Sequence, residues 1–175
     1  RGLIHDEMIE LTNREVSNKI QLSGTFLYSD RCLEFKEEEG MQKAIETLRR
    51  HEIDGVIAIG GDGTFRGATD LSARGIPTIG VPGTIDNDLA YTDYTIGFDT
   101  AINTVLDAIT RIRDTSSSHE RTSIIEVMGR HCGDIALYSG ITGGAECVLL
   151  PEIDDDIEDV FRKVTAGIES GKLHN

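Results

Sequence analysis

The chain has 175 residues, 38% of them apolar, enough to bury a core in one domain or two small ones. Its formal net charge of −14 repels nucleic acid and anionic membrane surfaces, so neither is an expected partner. No run approaches the ~18 apolar residues of a membrane span, and Arg1–Glu10 has no charged-then-apolar leader. Three scattered cysteines, Cys32, Cys132 and Cys147, lack metal-ligand spacing, which leads us to expect reduced thiols in a cytoplasmic setting.

In chain order, Met41, Ala44, Ile45 and Leu48 predict a helix from about Lys36 to His51. Gly55–Ile59 is a short β-branched run ending at Gly60-Gly61 and reads as a buried strand. A short helix over Thr64–Ala73 follows, stopped by Gly75 and Pro77; Thr78–Val81 is the next strand, broken by Pro82-Gly83. Ile102, Val105, Leu106, Ile109 and Ile112 form the clearest helical stripe, before a loop at Ser116–Ser118. Ile124–Val127 reads as a strand, Asp134–Ile141 as a helix and Cys147–Leu150 as another strand. Ile157, Val160, Phe161, Val164 and Ile168 mark a last helix, whose acidic start at Asp154–Asp156 and nearby Lys172 suit the helix dipole.

Strands separated by helices imply an α/β fold with mostly parallel pairing. Such sheets place ligands beyond the carboxyl ends of their strands, which singles out the loops after Ile59, Val81 and Val127. Gly97 is the best internal boundary, dividing the chain into 1–97 and 98–175.

The first of these loops is Gly60-Gly61-Asp62-Gly63-Thr64. Its glycines let backbone N–H groups approach phosphate oxygens, and Asp62 fits a Mg²⁺ bridging phosphates. A glycine-rich turn with Asp62 capping the helix is an equal reading by position alone. No Gly-Lys-Ser/Thr follows, so this is not a Walker A loop.

The second loop is Pro82-Gly83-Thr84-Ile85-Asp86-Asn87-Asp88. Two carboxylates behind a hydroxyl suit deprotonation of an attacking alcohol, although alone the stretch reads better as an Asx-rich turn. The third, Met128-Gly129-Arg130, adds a planar cation for spread phosphoryl charge. Together the three supply metal ligand, base and cation, the parts that phosphoryl transfer requires. The five histidines, His5, His51, His119, His131 and His174, have no partners at metal or triad spacing.

Gly60–Thr64, Pro82–Asp88 and Met128–Arg130, with Tyr94–Phe98, Asp114–His119 and Cys132–Asp134, closely resemble the ATP-dependent 6-phosphofructokinase family, bacterial type. The resemblance runs over essentially the whole chain. The first loop by itself also resembles lipid and NAD kinases, which would not be expected to carry the other two motifs.

By resemblance the fold is a layered α-β-α arrangement in two lobes. Residues 1–97 would be part of the larger, nucleotide-binding lobe and 98–175 part of the smaller, sugar-phosphate-binding lobe. The resemblance also implies a glycine-rich strand-loop-helix before Arg1 and further strands after Asn175. Both lobes would then be incomplete here, and the isolated chain inactive.

The implied reaction moves a phosphoryl group from Mg-ATP to the 1-hydroxyl of fructose 6-phosphate. Asp62 would bind Mg²⁺, and Asp86 would accept the proton. Thr84 and Asp88 would assist at the transferred group, and Arg130 would stabilise its charge. Ile85, Met128 and Gly129 would line the sugar site, and Arg121 would reach the 6-phosphate of a neighbouring subunit in a homo-oligomer, a tetramer by family resemblance. Arg31, Cys32, Gly61, Gly63 and Thr64 would contact the nucleotide. Arg113, Gly144, Ala145, Glu146, Lys172, Leu173 and His174 match positions for an ADP or phosphoenolpyruvate effector, with Ser170 standing where a basic residue is usual.

Pyrophosphate-using relatives tend to carry Asp where Gly63 stands and Lys where Gly83 stands, so both glycines favour ATP. A pyrophosphate-dependent enzyme and a non-catalytic regulatory subunit of the same fold are the alternatives.

Overall fold

The computed structural model describes residues 1–119 and 121–171. In chain order the elements are α1 (Gly2–His5), α2 (Asn13–Val16), a 3₁₀ turn (Glu34–Lys36), α3 (Glu38–Arg50), β1 (Val56–Gly60), α4 (Asp62–Ala73), β2 (Thr78–Pro82), α5 (Phe98–His119), α6 (Asp134–Gly143) and α7 (Ile157–Glu169). They form two compact units: Arg1–Ala58 with Gly63–Gly80, and Ile59–Asp62 with Val81–Asn175. The α/β expectation holds: β1 and β2 are neighbours in a small parallel sheet, and α4 is the crossover between them.

In the first unit, α3 turns one apolar face inward. Met41, Ile45 and Leu48 meet Leu71 of α4 and Ile76, with Leu3, Phe35 and Val56 packed at the edge. Glu38 and Glu39 in its first turn and Arg49 and Arg50 in its last complement the helix dipole. Gly40 has to be glycine because a Cβ there would collide with the Glu34 carbonyl. Asp6 pins α1 to the end of α3, accepting from Arg50 Nη1 at 2.5 Å and meeting His51 Nε2 at 2.6 Å.

In the second unit, Phe98 is fully buried at the start of α5, and Ile135 and Ser139 of α6 are nearly so. Phe98 stacks on Tyr94 and meets Tyr138 edge-on, with centroids 6.0 and 5.6 Å apart. A Cβ on Gly143 would come within 2.9 Å of Ile109 Cδ1, so α5 and α6 touch closely there.

Four expectations are corrected. β1 is not buried on both faces: Ile57 and Ile59 are exposed and alternate with half-buried Val56, Ala58 and Gly60. The Ser116–Ser118 loop is helix, because Ser117 and Ser118 donate back to the Arg113 and Asp114 carbonyls, at 2.8 and 3.3 Å. Hydroxyls that would otherwise draw the backbone out of a helix are thereby satisfied inside it. Ile124–Val127 and Cys147–Leu150 are not strands. A strand exists only by pairing its N–H and C=O groups with a neighbour, and apolar β-branched sequence cannot supply one.

Candidate active site

Two of the three candidate loops do follow strands. β1 ends at Gly60, Gly61 makes the turn, and half-buried Asp62 opens α4. β2 ends at Pro82, whose carbonyl accepts the Ile96 N–H at 2.9 Å. The loops touch: a Cβ on Gly61 would lie 3.3 Å from Thr84 Cβ and 3.4 Å from its Oγ1. Glycine at 61 therefore brings the phosphate-type turn against the hydroxyl of the second loop.

Within the second loop, Thr84 Oγ1 accepts the Asp86 N–H at 3.2 Å, a local turn that fixes where the Asp86 side chain departs. Ile85 Cγ2 would sit 3.2 Å from a Cβ on Gly97, whose φ of +103° also requires glycine. Asp86, Asn87 and Asp88 are all half-buried, and Asp88 Oδ1 is buried without a hydrogen-bond partner among the described residues.

The third loop follows irregular backbone rather than a strand. Gly129 has φ of +148°, and a Cβ there would collide with the Cys132 carbonyl. Cys132 N–H donates to the Gly129 carbonyl at 2.9 Å, closing a tight turn with Arg130 at φ 58° in the left-handed region. For a residue as bulky as arginine that conformation costs roughly 1–2 kcal/mol. Strain of this sort collects at functional positions.

The electrostatics join the loops. Burial lifts the Asp86 carboxyl above its ordinary value, the charge of Asp88 lifts it further, and Arg130 pulls it back. A carboxyl raised in this way is suited to taking a proton from an alcohol. Thr84, Ile85, Asp86, Asp88, Gly129, Arg130, Gly61 and Asp62 thus all lie in one compact unit.

The phosphofructokinase family model matches residues 1–175. The chain belongs to the phosphofructokinase family. It is 57% identical over 174 residues to an ATP-dependent 6-phosphofructokinase of Clostridium tetani and 59% identical to one of Alkaliphilus metalliredigens. Each alignment covers 99% of this chain and 54% of the relative, so the chain spans about half the length of the curated relatives it matches. Among solved structures, the T-state phosphofructokinase of Pichia pastoris has a TM-score of 0.90 at 30% identity, covering 99% of this chain and 22% of that one. Phosphofructokinase from Saccharomyces cerevisiae gives 0.85 at 28% identity, with 99% and 27% covered. A pyrophosphate-dependent phosphofructokinase from Nitrosospira multiformis gives 0.65 at 28% identity, with 77% and 38% covered.

The other positions singled out by the resemblance divide between the two units. Arg31, Cys32, Gly63 and Thr64 belong to the first unit; Arg31, Gly63 and Thr64 are exposed, Cys32 is half-buried, and a Cβ on Gly63 would meet nothing within 4 Å. Met128 is exposed beside the Gly129 turn. Arg121 borders a cleft of about 380 Å³ that also takes in Arg111, Thr115 and Ser116. Arg111 is paired with Asp107 at 2.9 Å, whereas Arg121 makes no ion pair with another described residue.

Of the positions expected to serve an effector, Arg113 donates to the Gly143 carbonyl and, at 3.4 Å, to that of Gly144. Ala145 N–H reaches the Gly140 carbonyl at 2.8 Å, and Glu146 is half-buried. Lys172, Leu173 and His174 lie outside the described residues.

Glu152, and the bonds made by Asn87, escaped the sequence reading. Asn87 bonds both Asp134 and the Thr95 backbone, and Glu152 Oε1 accepts the Gly133 N–H at 2.7 Å ahead of α6. No local pattern marks either set of partners, because they are distant in the chain. Asp134 was legible as a helix start but not as a partner of the second loop.

Proposed function

We propose that this chain carries part of an ATP-dependent 6-phosphofructokinase active site. The reaction moves the γ-phosphoryl group of ATP to the 1-hydroxyl of fructose 6-phosphate and gives fructose 1,6-bisphosphate and ADP. Asp86 takes the hydroxyl proton as the sugar oxygen bonds to phosphorus and the bond to the ADP oxygen breaks. Arg130 faces the charge that spreads over the transferred group, and Thr84 and Asp88 orient it. Ile85, Met128 and Gly129 border the sugar. Gly61, Gly63 and Thr64, with Arg31 and Cys32, contact the nucleotide.

Among the described residues no group of three or more His, Cys, Asp or Glu side chains could hold a metal. The single hard-oxygen ligand of Asp62 fits Mg²⁺, which keeps its waters and binds protein through one or two carboxylates plus substrate phosphates. When bound, Mg²⁺ supplies charge neutralisation between the phosphates.

One observation carries the reading: Asp86, raised by burial and by Asp88, lies within electrostatic reach of Arg130. That is a base with a counter-charge acting on it, both within one compact unit. The curated relatives named for ATP dependence, at 57% and 59% identity, support ATP as donor. The likeness to a pyrophosphate-dependent enzyme is the observation that keeps a second donor in view.

We draw the lobe boundary at Gly97, ahead of α5, with the nucleotide contacts before it and the sugar contacts drawn from both sides, Ile85 and Asp86 before it and Met128 and Gly129 after. Arg121 would serve a neighbouring subunit of a cytoplasmic homotetramer, and Arg113, Gly144, Ala145 and Glu146 an ADP or phosphoenolpyruvate effector.

Initial rates of fructose 6-phosphate phosphorylation by the complete gene product, with Mg-ATP and Mg-pyrophosphate side by side, test the proposal. Turnover with ATP alone supports it. Turnover with pyrophosphate overturns the donor, and none with either favours a regulatory subunit.

A further inference from the structure

Asn87 stands between the two carboxylates of the second loop in left-handed backbone, with φ 57°. Asparagine visits that region more readily than most residues. Its amide serves two partners: Nδ2 donates to Asp134 Oδ2 at 2.8 Å, and Oδ1 accepts the Thr95 N–H at 3.0 Å. Only one orientation of the amide satisfies both, because a carboxylate accepts and a backbone N–H donates. Asp134 opens α6 directly after the Gly129–Cys132 turn that carries Arg130. One side chain therefore ties the loop of Asp86 and Asp88 to the segment that presents Arg130.

We propose that Asn87 is a positioning residue for phosphoryl transfer, its amide clamped between Asp134 and the Thr95 N–H so that the Asp86 loop is held against the Arg130 turn. This rests on the reading of Asp86 as base and Arg130 as counter-charge. The position needs a donor, an acceptor and tolerance of left-handed backbone at once. Asparagine meets all three. Aspartate keeps the shape but sets two carboxylates against each other, whereas glycine keeps the backbone and loses both bonds. Neither change removes a group that touches substrate. Misplacement of reacting groups by about 1 Å is enough to cost roughly 10²-fold in rate.

The test uses the complete gene product as Asn87→Asp, Asn87→Gly and the exchange Asn87→Asp/Asp134→Asn. In the exchange the donor sits on residue 134 and the acceptor on residue 87. We expect kcat to fall roughly 10- to 100-fold in both single variants, with KM for ATP and sugar phosphate nearly unchanged. The exchange should recover most of that loss relative to Asn87→Asp. A merely structural role would lower the thermal midpoint without a kcat-selective loss or a recovery. Parental-like kcat in both single variants, a loss confined to KM, or an exchange that recovers nothing overturns the proposal and leaves the reading of Asp86 standing. An inactive parental protein overturns that reading first, and the positioning role falls with it.

Discussion

Gly83 lies against Ile59, so that a Cβ on the glycine would come within 2.8 Å of Ile59 Cγ2 and 3.4 Å of the Gly60 nitrogen. Glycine at 83 thus packs closely where the two strands end, and a side chain there has to displace Ile59. Gly63 differs, having nothing within 4 Å of the same construction. Gly83→Lys is expected to destabilise by about 1 kcal/mol, the low end for overpacking because Ile59 is exposed and can shift. Gly63→Asp should leave stability within about 0.5 kcal/mol and raise KM for ATP. Chemical denaturation with steady-state kinetics checks both. An unchanged KM at position 63 would remove it from the donor argument.

Asp86→Ser in the complete gene product should lower turnover by ~10²–10⁴, the usual share of a general base. Near-parental turnover would take Asp86 out of that role.

The same carboxyl leaves a mark on stability. Its folded-state value is raised, first by burial and then by Asp88, from an ordinary 3.8. A raised group contributes its full stability below the unfolded-state value and loses it as pH rises through the folded-state value. Asp86→Asn should therefore gain stability over the parental protein at neutral pH, an advantage that shrinks towards pH 3.8. Denaturation midpoints across pH measure it. An Asp86→Asn protein less stable at pH 7 would contradict the assigned cause.

Arg121→Ser should raise KM for fructose 6-phosphate and leave KM for ATP unchanged. Arg121 borders the cleft with Arg111, but only Arg111 has an acid partner among the described residues, Asp107. Equal effects on both substrates would count against a sugar-phosphate contact.

Arg113 already serves the end of α6 by donating to the Gly143 and Gly144 carbonyls. Arg113→Ala should cost about 1 kcal/mol through the loss of that C-terminal cap, with or without an effector. If stability is unchanged while the effector response is lost, Arg113 serves the ligand alone.

The sequence reading carried furthest where chemistry is local. The apolar spacing of Met41, Ala44, Ile45 and Leu48 is enough to place α3, since a helix satisfies its own backbone. The Gly61 motif was legible because strand, turn and helix start are contiguous, and the Pro82–Asp88 motif because it follows directly on a strand. Ile124–Val127 failed for the opposite reason: its residues favour a strand, but a ladder partner is not a property of the segment. Ser116–Ser118 failed because a serine's loop preference disappears once its hydroxyl finds a carbonyl one turn back.

By itself the sequence determined the element types of the self-contained segments, the three candidate loops and the family, all of which depend on residues near in the chain or on motifs kept in order. Only the tertiary structure decided that Asn87 reaches Asp134, that Gly61 abuts Thr84 and that Asp86 feels both Asp88 and Arg130. Apart from the influence of Asp88 on Asp86, these relationships join segments far apart along the chain. Their strength depends on distance and burial in space, which no local pattern encodes.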